Sequence, residues 1–150
     1  MTPIGYQVTI DARDPHTLAR FWAAALGYAV EDHDAFIRGL LDAGQITHDD
    51  VVETDGRLAF RIAEAIRHPD DLERDAFADP APRRLLFQLV PEEKATKNRV
   101  HLDLTVGRER IDAEVARLAD LGATKLYRVD EPGAFHATLA DPEGNEFCVQ

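Results

Sequence analysis

The residues best suited to chemistry lie in one stretch of alternating polarity, between Asn98 and Val106. Apolar residues occupy its even-numbered positions: Val100, Leu102, Leu104 and Val106. Polar residues occupy the odd-numbered positions between them: His101, Asp103 and Thr105. A period of two is typical of a β-strand, whose side chains point alternately to its two faces. The sequence therefore predicts a strand with one apolar face and one face on which an imidazole lies beside a carboxylate.

That pair has a chemical and a structural interpretation. Histidine titrates near neutral pH and ligates metals, and Asp103 can accept a hydrogen bond from His101 and fix its tautomer. Polar residues on one face of an antiparallel sheet are also commonly just hydrated. Both interpretations, a binding surface and a hydrated sheet face, stay open on this stretch alone.

Other motifs with known chemistry are missing from the chain. The sequence contains no His-Glu-x-x-His, Gly-x-Ser-x-Gly, phosphate-binding loop or dinucleotide fingerprint. His136 and Thr138 share a face of a predicted strand whose register the sequence does not settle. The remaining histidines are expected on the surface: His16, His33, His48 and His68.

Two similar arrangements of a strand and a helix position these residues. Near the N-terminus, Gln7 and Thr9 form the polar face of a predicted strand, and Asp14 caps a helix that begins at Pro15 and ends at Leu26-Gly27. The apolar stripe of that helix consists of Leu18, Phe21, Trp22 and Ala25. After His101, a second helix carries the stripe Ile111, Val115 and Leu118 and ends at Leu121-Gly122.

The spacing from Gln7 to Gly27 nearly equals that from His101 to Gly122, which indicates an internal repeat. Each half closes with a predicted strand, Arg84 to Val90 and Glu146 to Val149, and a tight reversal joins the latter to a strand over Phe135 to Ala140. The predicted modules cover residues 1–92 and 98–150 of a single domain.

The first half carries an insertion, predicted over residues 32–82. It holds a helix with its own apolar face (Phe36, Ile37, Leu40 and Leu41), a hairpin with an Asp55-Gly56 turn, and a loop from His68 to Pro82. An apolar helix face must be buried against something. We therefore expect the insertion to act as a lid or as an interface.

Net charge, apolar runs and cysteine content limit the partners and the location that we expect for this protein. The chain of 150 residues has a formal net charge of −11, which opposes binding to nucleic acid or to an anionic membrane surface. The sequence predicts neither a membrane span nor a signal peptide. Its single cysteine, Cys148, cannot form an internal disulfide, and a cytoplasmic location is expected.

Several motifs occur in order along nearly the whole chain: Asp14-Pro15, Phe21-Trp22, Leu26-Gly27, Asn98 to Asp103, Leu121-Gly122-Ala123 and Asp141 to Phe147. Together they resemble the glyoxalase-like group of the vicinal oxygen chelate superfamily, which also includes bleomycin resistance proteins and ring-cleaving dioxygenases. The resemblance implies an α+β fold in which two βαβββ modules form a curled mixed sheet around an open cup, with the helices outside.

The resemblance places the family's metal ligands at four positions: Gln7, Gln88, His101 and Cys148. His101 alone fits its position well, because the family often has glutamate where Gln88 and Cys148 lie. Glyoxalase-type isomerisation needs a carboxylate base beside a metal-held carbonyl, and ring cleavage needs two histidines and a carboxylate around iron. The sequence therefore predicts a degenerate site without a tight divalent metal, although a softer ion such as zinc stays an alternative.

The favoured function is small-molecule binding, with or without turnover, in a pocket lined by Gln7, Thr9, Gln88, His101, Asp103, Glu146 and Cys148. No catalytic residue is assigned. The alternatives are a metal-dependent lyase or isomerase with an altered ligand set, and an inert structural dimer. A homodimer is expected, because superfamily members commonly pair and because sheets of this size leave edge strands that a partner can cover.

Overall fold

The computed structural model describes residues 4–78 and 80–150. The chain divides at Pro91 into two compact units, residues 1–91 and 92–150. The first unit contains helices α1 (Pro15–Leu26) and α2 (Asp34–Asp42) and strands β1 (Val8–Ala12), β2 (Ala29–Val30), β3 (Val51–Thr54), β4 (Arg57–Phe60), β5 (Ala63–Arg67) and β6 (Arg84–Leu89). The second contains helix α3 (Ile111–Asp120) and strands β7 (Asp103–Leu104), β8 (Thr124–Glu131), β9 (Ala134–Ala140) and β10 (Glu146–Val149).

Each unit is built around a four-stranded mixed sheet of the same topology. The order is β1-β6-β5-β2 in the first unit and β7-β10-β9-β8 in the second. In both sheets the first and last strands of the unit pair in parallel, and the other neighbours pair antiparallel. The predicted α+β class and the repeat of a βαβββ pattern are therefore confirmed.

Helix α1 begins and ends for the local reasons that the sequence indicated. The Asp14 carboxylate accepts a hydrogen bond from the backbone N–H of Thr17 at 3.0 Å, which satisfies a free amide of the first turn. Gly27 ends the helix with a φ of 67°, a left-handed conformation that favours glycine. Leu18 and Trp22 are buried where the helix packs on the sheet.

The second unit has a comparable core. Ile111 and Leu118 of α3 are fully buried, as are Leu139 of β9 and Phe147 and Val149 of β10. Pairing of Leu139 with Phe147 places these side chains on one face of the sheet. The opposite face of that sheet carries the side chains of Asp103, Thr138 and Cys148.

The predicted insertion is narrower than residues 32–82, because Ala63–Arg67 is β5 of the main sheet. The extra part is α2 with the β3–β4 hairpin, whose turn has positive φ at Asp55 and Gly56. Ile37 of α2 is buried, and the Asp34 carboxylate accepts a hydrogen bond from the backbone N–H of Leu58 at 2.8 Å. Helix α2 thus packs against β4 of its own hairpin, while Phe36 on its apolar face is 60% exposed.

The strand predicted between Asn98 and Val106 is shorter than expected. Only Asp103–Leu104 is strand, and Val100 is 82% exposed. The backbone N–H of Asn98 donates to the Glu146 carboxylate at 2.9 Å, and ladder hydrogen bonding to β10 begins only at Leu102, whose carbonyl accepts from the backbone N–H of Cys148 at 3.0 Å. The placement of His101 within a strand was therefore wrong, since it precedes β7 by two residues.

His16 was expected on the surface, but its side chain is only 12% exposed. Its Nδ1 lies 3.2 Å from the buried carboxylate of Glu64, which also accepts a hydrogen bond from Arg57 at 2.9 Å. Burial alone raises the pKa of Glu64, but the hydrogen bond from His16 and the charge of Arg57 outweigh it and lower that pKa. This cluster ties α1, β5 and the hairpin together.

A second buried charge, Glu31, holds the other side of the first sheet. Its carboxylate accepts hydrogen bonds from Arg67 Nε at 2.7 Å and from Arg84 at 2.7 and 2.9 Å. Burial by itself raises the pKa of Glu31. The hydrogen bonds from His33 and Arg84 and the charges of both arginines outweigh burial, so the pKa lies well below its usual range.

None of the helices among the described residues is long and apolar enough to cross a membrane.

Replacing Glu31 with alanine is expected to lower the free energy of unfolding by about 3–5 kcal/mol, because it leaves the buried guanidinium of Arg67 without its carboxylate. Urea denaturation followed by circular dichroism measures the change. Asp42→Ala, at an exposed acidic position of α2, serves as the control and should have little effect. Equal stability of the two variants would contradict a structural role for this ion pair.

Candidate functional site

The seven predicted pocket residues divide between the two units. Gln7, Thr9 and Gln88 belong to the first unit, and His101, Asp103, Glu146 and Cys148 belong to the second.

In the second unit, three of the residues converge. His101 Nδ1 lies 2.7 Å from Asp103 Oδ1, and Cys148 pairs with Asp103 across the parallel β7–β10 ladder. One ligand atom from each of the three side chains lies within 4.8 Å of the other two. His101 and Asp103 are 38% and 42% exposed, so the cluster is accessible to solvent.

The short contact to Asp103 determines how His101 can act. An ionised carboxylate only accepts hydrogen bonds, so Nδ1 of the ring must carry the hydrogen that is donated to it. In the neutral ring, Nε2 then keeps its lone pair and can accept a hydrogen bond or ligate a metal. Asp103 therefore orients the ring and selects the tautomer of His101.

Strand register adds two residues that the sequence left unplaced. Cys148 pairs with Thr138 of β9, and the Thr138 hydroxyl lies 3.5 Å from the Cys148 sulfur. His136 lies two residues earlier on β9 and so points to the same face. We call this group, made by His101, Asp103, His136, Cys148 and the buried Thr138, the His101 face. The alternation Phe135 to Ala140 showed that His136 and Thr138 share a face, but only the pairing shows which face it is.

Glu146 is engaged in a different interaction. Its carboxylate accepts the backbone N–H of Asn98 at 2.9 Å and lies 3.0 Å from the ammonium of Lys94. The Asn98 amide, followed by Lys94, lowers the pKa of Glu146 from 4.5 to about 2 against the opposing effect of partial burial. This carboxylate anchors the segment that leads into His101.

The polar residues of the first unit form another hydrogen-bonded set. Gln7 accepts a hydrogen bond from Arg84 at 2.5 Å and approaches the Thr9 hydroxyl at 3.4 Å. Arg84 in turn binds the buried Glu31. Gln88 is exposed and pairs with Asp11 across the parallel β1–β6 ladder.

The registers of the two units correct the proposed equivalence of Gln7 with His101. In the second unit Asp103 lies opposite Cys148, and in the first unit Asp11 lies opposite Gln88. If Gln88 corresponds to Cys148, then Asp11 corresponds to Asp103, and the counterpart of His101 is Thr9 rather than Gln7. The offset of two residues preserves the face of the strand. Sequence reasoning missed Asp11 because alternation reveals faces but not register.

The donor set of the His101 face decides which kind of metal ion it could hold. An imidazole, a thiol and a carboxylate are the ligand types that zinc accepts, and zinc sites that perform catalysis use three protein ligands and a water. The chemistry of the three side chains thus fits a borderline-soft cation. A hard cation prefers several oxygen ligands, and among these three side chains only Asp103 supplies one.

Removing the charge of Glu146 should free the segment from Lys94 to His101. Because the folded-state pKa is depressed, the carboxylate contributes stability above about pH 4.5 and loses it as the pH falls towards 2. Glu146→Gln is expected to cost about 1 kcal/mol at neutral pH and to reduce the acid dependence in that window. Denaturant titrations at several pH values measure this, with Glu109→Gln as an exposed control. An unchanged pH profile would contradict the anchoring role.

The chain is similar to solved structures of one superfamily. A glyoxalase/bleomycin resistance protein/dioxygenase family enzyme from Burkholderia phytofirmans has 16% identity and a TM-score of 0.59, covering 95% of this chain and 94% of that one. Fosfomycin resistance protein FosX from Mesorhizobium loti has 13% identity and a TM-score of 0.59, covering 100% and 92%. FosX from Listeria monocytogenes, solved with Mn(II) and sulfate, has 8% identity and a TM-score of 0.59, covering 100% and 90%. At these identities the likeness establishes the fold alone.

Comparison at the level of sequence gives a family. A search of curated proteins found no match. A family model described as a glyoxalase-like domain matches residues 7–150, which include all strands and helices of both units. The match agrees with the repeated βαβββ topology of the two sheets. The chain therefore belongs to the glyoxalase-like domain family.

Proposed function

We propose that this protein binds a small polar molecule on the His101 face and does so without turnover. The hydrogen bond of 2.7 Å between His101 Nδ1 and Asp103 Oδ1 carries the proposal. It fixes the ring and leaves Nε2 as an acceptor on a side chain that is 38% exposed. A preorganised acceptor next to a partly exposed carboxylate suits a ligand that presents N–H or O–H donors.

The neighbours of His101 support binding rather than catalysis. A thiol occupies the Cys148 position, where the family has a carboxylate, and the carboxylate of Glu146 is committed to Asn98 and Lys94. The remaining carboxylate, Asp103, is engaged by His101 Nδ1, so none of these carboxylates is free to act as the proton shuttle of a glyoxalase-type isomerisation. We therefore assign no catalytic residue.

His101→Ala is expected to weaken ligand binding roughly tenfold, the effect of losing one good hydrogen-bond acceptor, while leaving the fold intact. The probe is a library of small polar carboxylates, amides and alcohols, screened by NMR and titrated by calorimetry. His48→Ala, at an exposed histidine of the first unit, is the control and should bind like the wild type. Fragments that bind the His101 variant as tightly as the wild type would contradict the proposal.

The second candidate function is a metal-dependent lyase or isomerase with an altered ligand set. The convergence of His101, Asp103 and Cys148 within 4.8 Å favours it, because these donors suit zinc. The Listeria FosX structure contains Mn(II), an ion that prefers oxygen ligands, so both metals are tested.

Elemental analysis of the purified protein distinguishes the two candidates. Under the first proposal the protein contains well under one divalent ion per chain, and titration with zinc or manganese chloride shows only weak binding, since the Asp103 carboxylate is already engaged by His101 Nδ1. The comparison uses the wild type, His101→Ala and Cys148→Ser. About one zinc per chain that is lost in both variants would favour the enzyme.

A further inference from the structure

Strand β8 is an unusually exposed sheet edge. It pairs with β9 on one side and has no strand neighbour on the other among residues 4–78 and 80–150. Seven of its eight residues are exposed, and these include Leu126 at 46% and Tyr127 at 55%. A long, exposed edge with large apolar side chains is a template for pairing with another strand.

The two ends of β8 are protected differently against such pairing. The register with β9 shifts between Lys125 and Tyr127, so Leu126 is bulged. A bulge and a lysine are common ways to block an edge. From Tyr127 to Glu131 the ladder is regular and carries neither device.

The open segment Tyr127–Glu131 has opposite charges at alternate positions. Arg128 and Asp130 pair with Ala137 and Phe135 and so share one face of the sheet. Tyr127 and Val129 lie on the other face. Arg128 contacts Asp112 and is 42% exposed, and Asp130 contacts Arg108 and is 60% exposed. Both side chains can therefore reach a partner.

Symmetry restricts how two copies of this segment can pair. In an antiparallel ladder, hydrogen-bonded and non-hydrogen-bonded pairs alternate. An exact two-fold axis must map hydrogen-bonded pairs onto hydrogen-bonded pairs and non-hydrogen-bonded pairs onto non-hydrogen-bonded pairs. The axis must therefore pass through the centre of one pair, in which a residue lies opposite its own copy. Centring on Arg128 or Asp130 would oppose like charges, and centring on Tyr127 would place the bulged Leu126 opposite Arg128.

Centring on Val129 satisfies every pair in the segment. Arg128 then lies opposite Asp130 twice, Tyr127 lies opposite Glu131 twice, and Val129 packs on its own copy. Opposite charges and β-branched pairs directly across a ladder are stabilising. The segment is thus complementary to itself under the two-fold symmetry of most homodimers.

We propose that β8 is a dimer interface, in which the Tyr127–Glu131 segments of two chains pair antiparallel about Val129. The pairing joins the two second-unit sheets into one continuous sheet across the two-fold axis. The occupant of the edge is a second copy of this chain.

Exchanging the charges of Arg128 and Asp130 tests the proposed register of the two β8 strands. Sedimentation of the wild type at micromolar concentration should show a dimer. Asp130→Arg places like charges opposite each other twice and should weaken the dimer roughly tenfold or more. Combining it with Arg128→Asp restores both attractive pairs and should restore the dimer. Glu109→Arg, an exposed charge reversal in the same unit, should leave it unchanged.

Several outcomes would overturn the proposal: a monomeric wild type, a dimer that Asp130→Arg leaves intact, or a folded double variant that stays monomeric. Circular dichroism shows that each variant is folded.

Crosslinking of single cysteines gives a second test that does not depend on charge. In a Cys148→Ser background, Val129→Cys should form a disulfide-linked dimer on copper-catalysed oxidation, since the proposed axis passes between the two copies of residue 129. Lys125→Cys on the same strand should not, because its two copies would lie about 27 Å apart. Equal crosslinking at both positions would contradict the register.

Discussion

Parallel pairing of the first and last strands of each unit is the constraint on which the rest of the structure depends. The first strand cannot reach its parallel neighbour by a tight turn, so the chain crosses by a helix to the strand at the far edge of the sheet and returns through antiparallel strands. Helices α1 and α3 are those crossings, and they cover the apolar face of each sheet. In the second unit the same pairing sets Cys148 opposite Asp103 and so assembles the His101 face from distant parts of the sequence.

The same topology supports different electrostatics in the two units. In the first, the buried Glu31 holds Arg67 and Arg84, and Arg84 also binds Gln7. These polar groups are committed to one another and stabilise the fold. In the second, the His101–Asp103 pair is partly exposed and fixes a tautomer that points an acceptor away from the carboxylate. This difference explains why the proposed binding surface lies in the second unit.

Strand β9 connects the proposed binding surface with the proposed dimer edge. Thr138 pairs with Cys148 on one side and with Tyr127 on the other. A sheet transmits position through such ladders, because each strand is fixed by hydrogen bonds to both neighbours. Ordering β8 against a second copy would therefore also hold β9 and the residues that it contributes to the His101 face.

Local features followed from the sequence because their causes lie within a few residues. Asp14 and Gly27 bound α1, and Asp55-Gly56 turns the hairpin. Alternation likewise identified the polar faces that carry Asp103 and Thr9, the repeat indicated the recurring strand and helix, and the resemblance supplied the βαβββ module. The register came only from the tertiary structure, which pairs Thr138 with Cys148 and Asp11 with Gln88. The tertiary structure also shows that the backbone N–H of Asn98 donates to Glu146 and not to a neighbouring strand. Register depends on hydrogen bonds between segments remote in sequence, and a period of two is satisfied equally by every even shift.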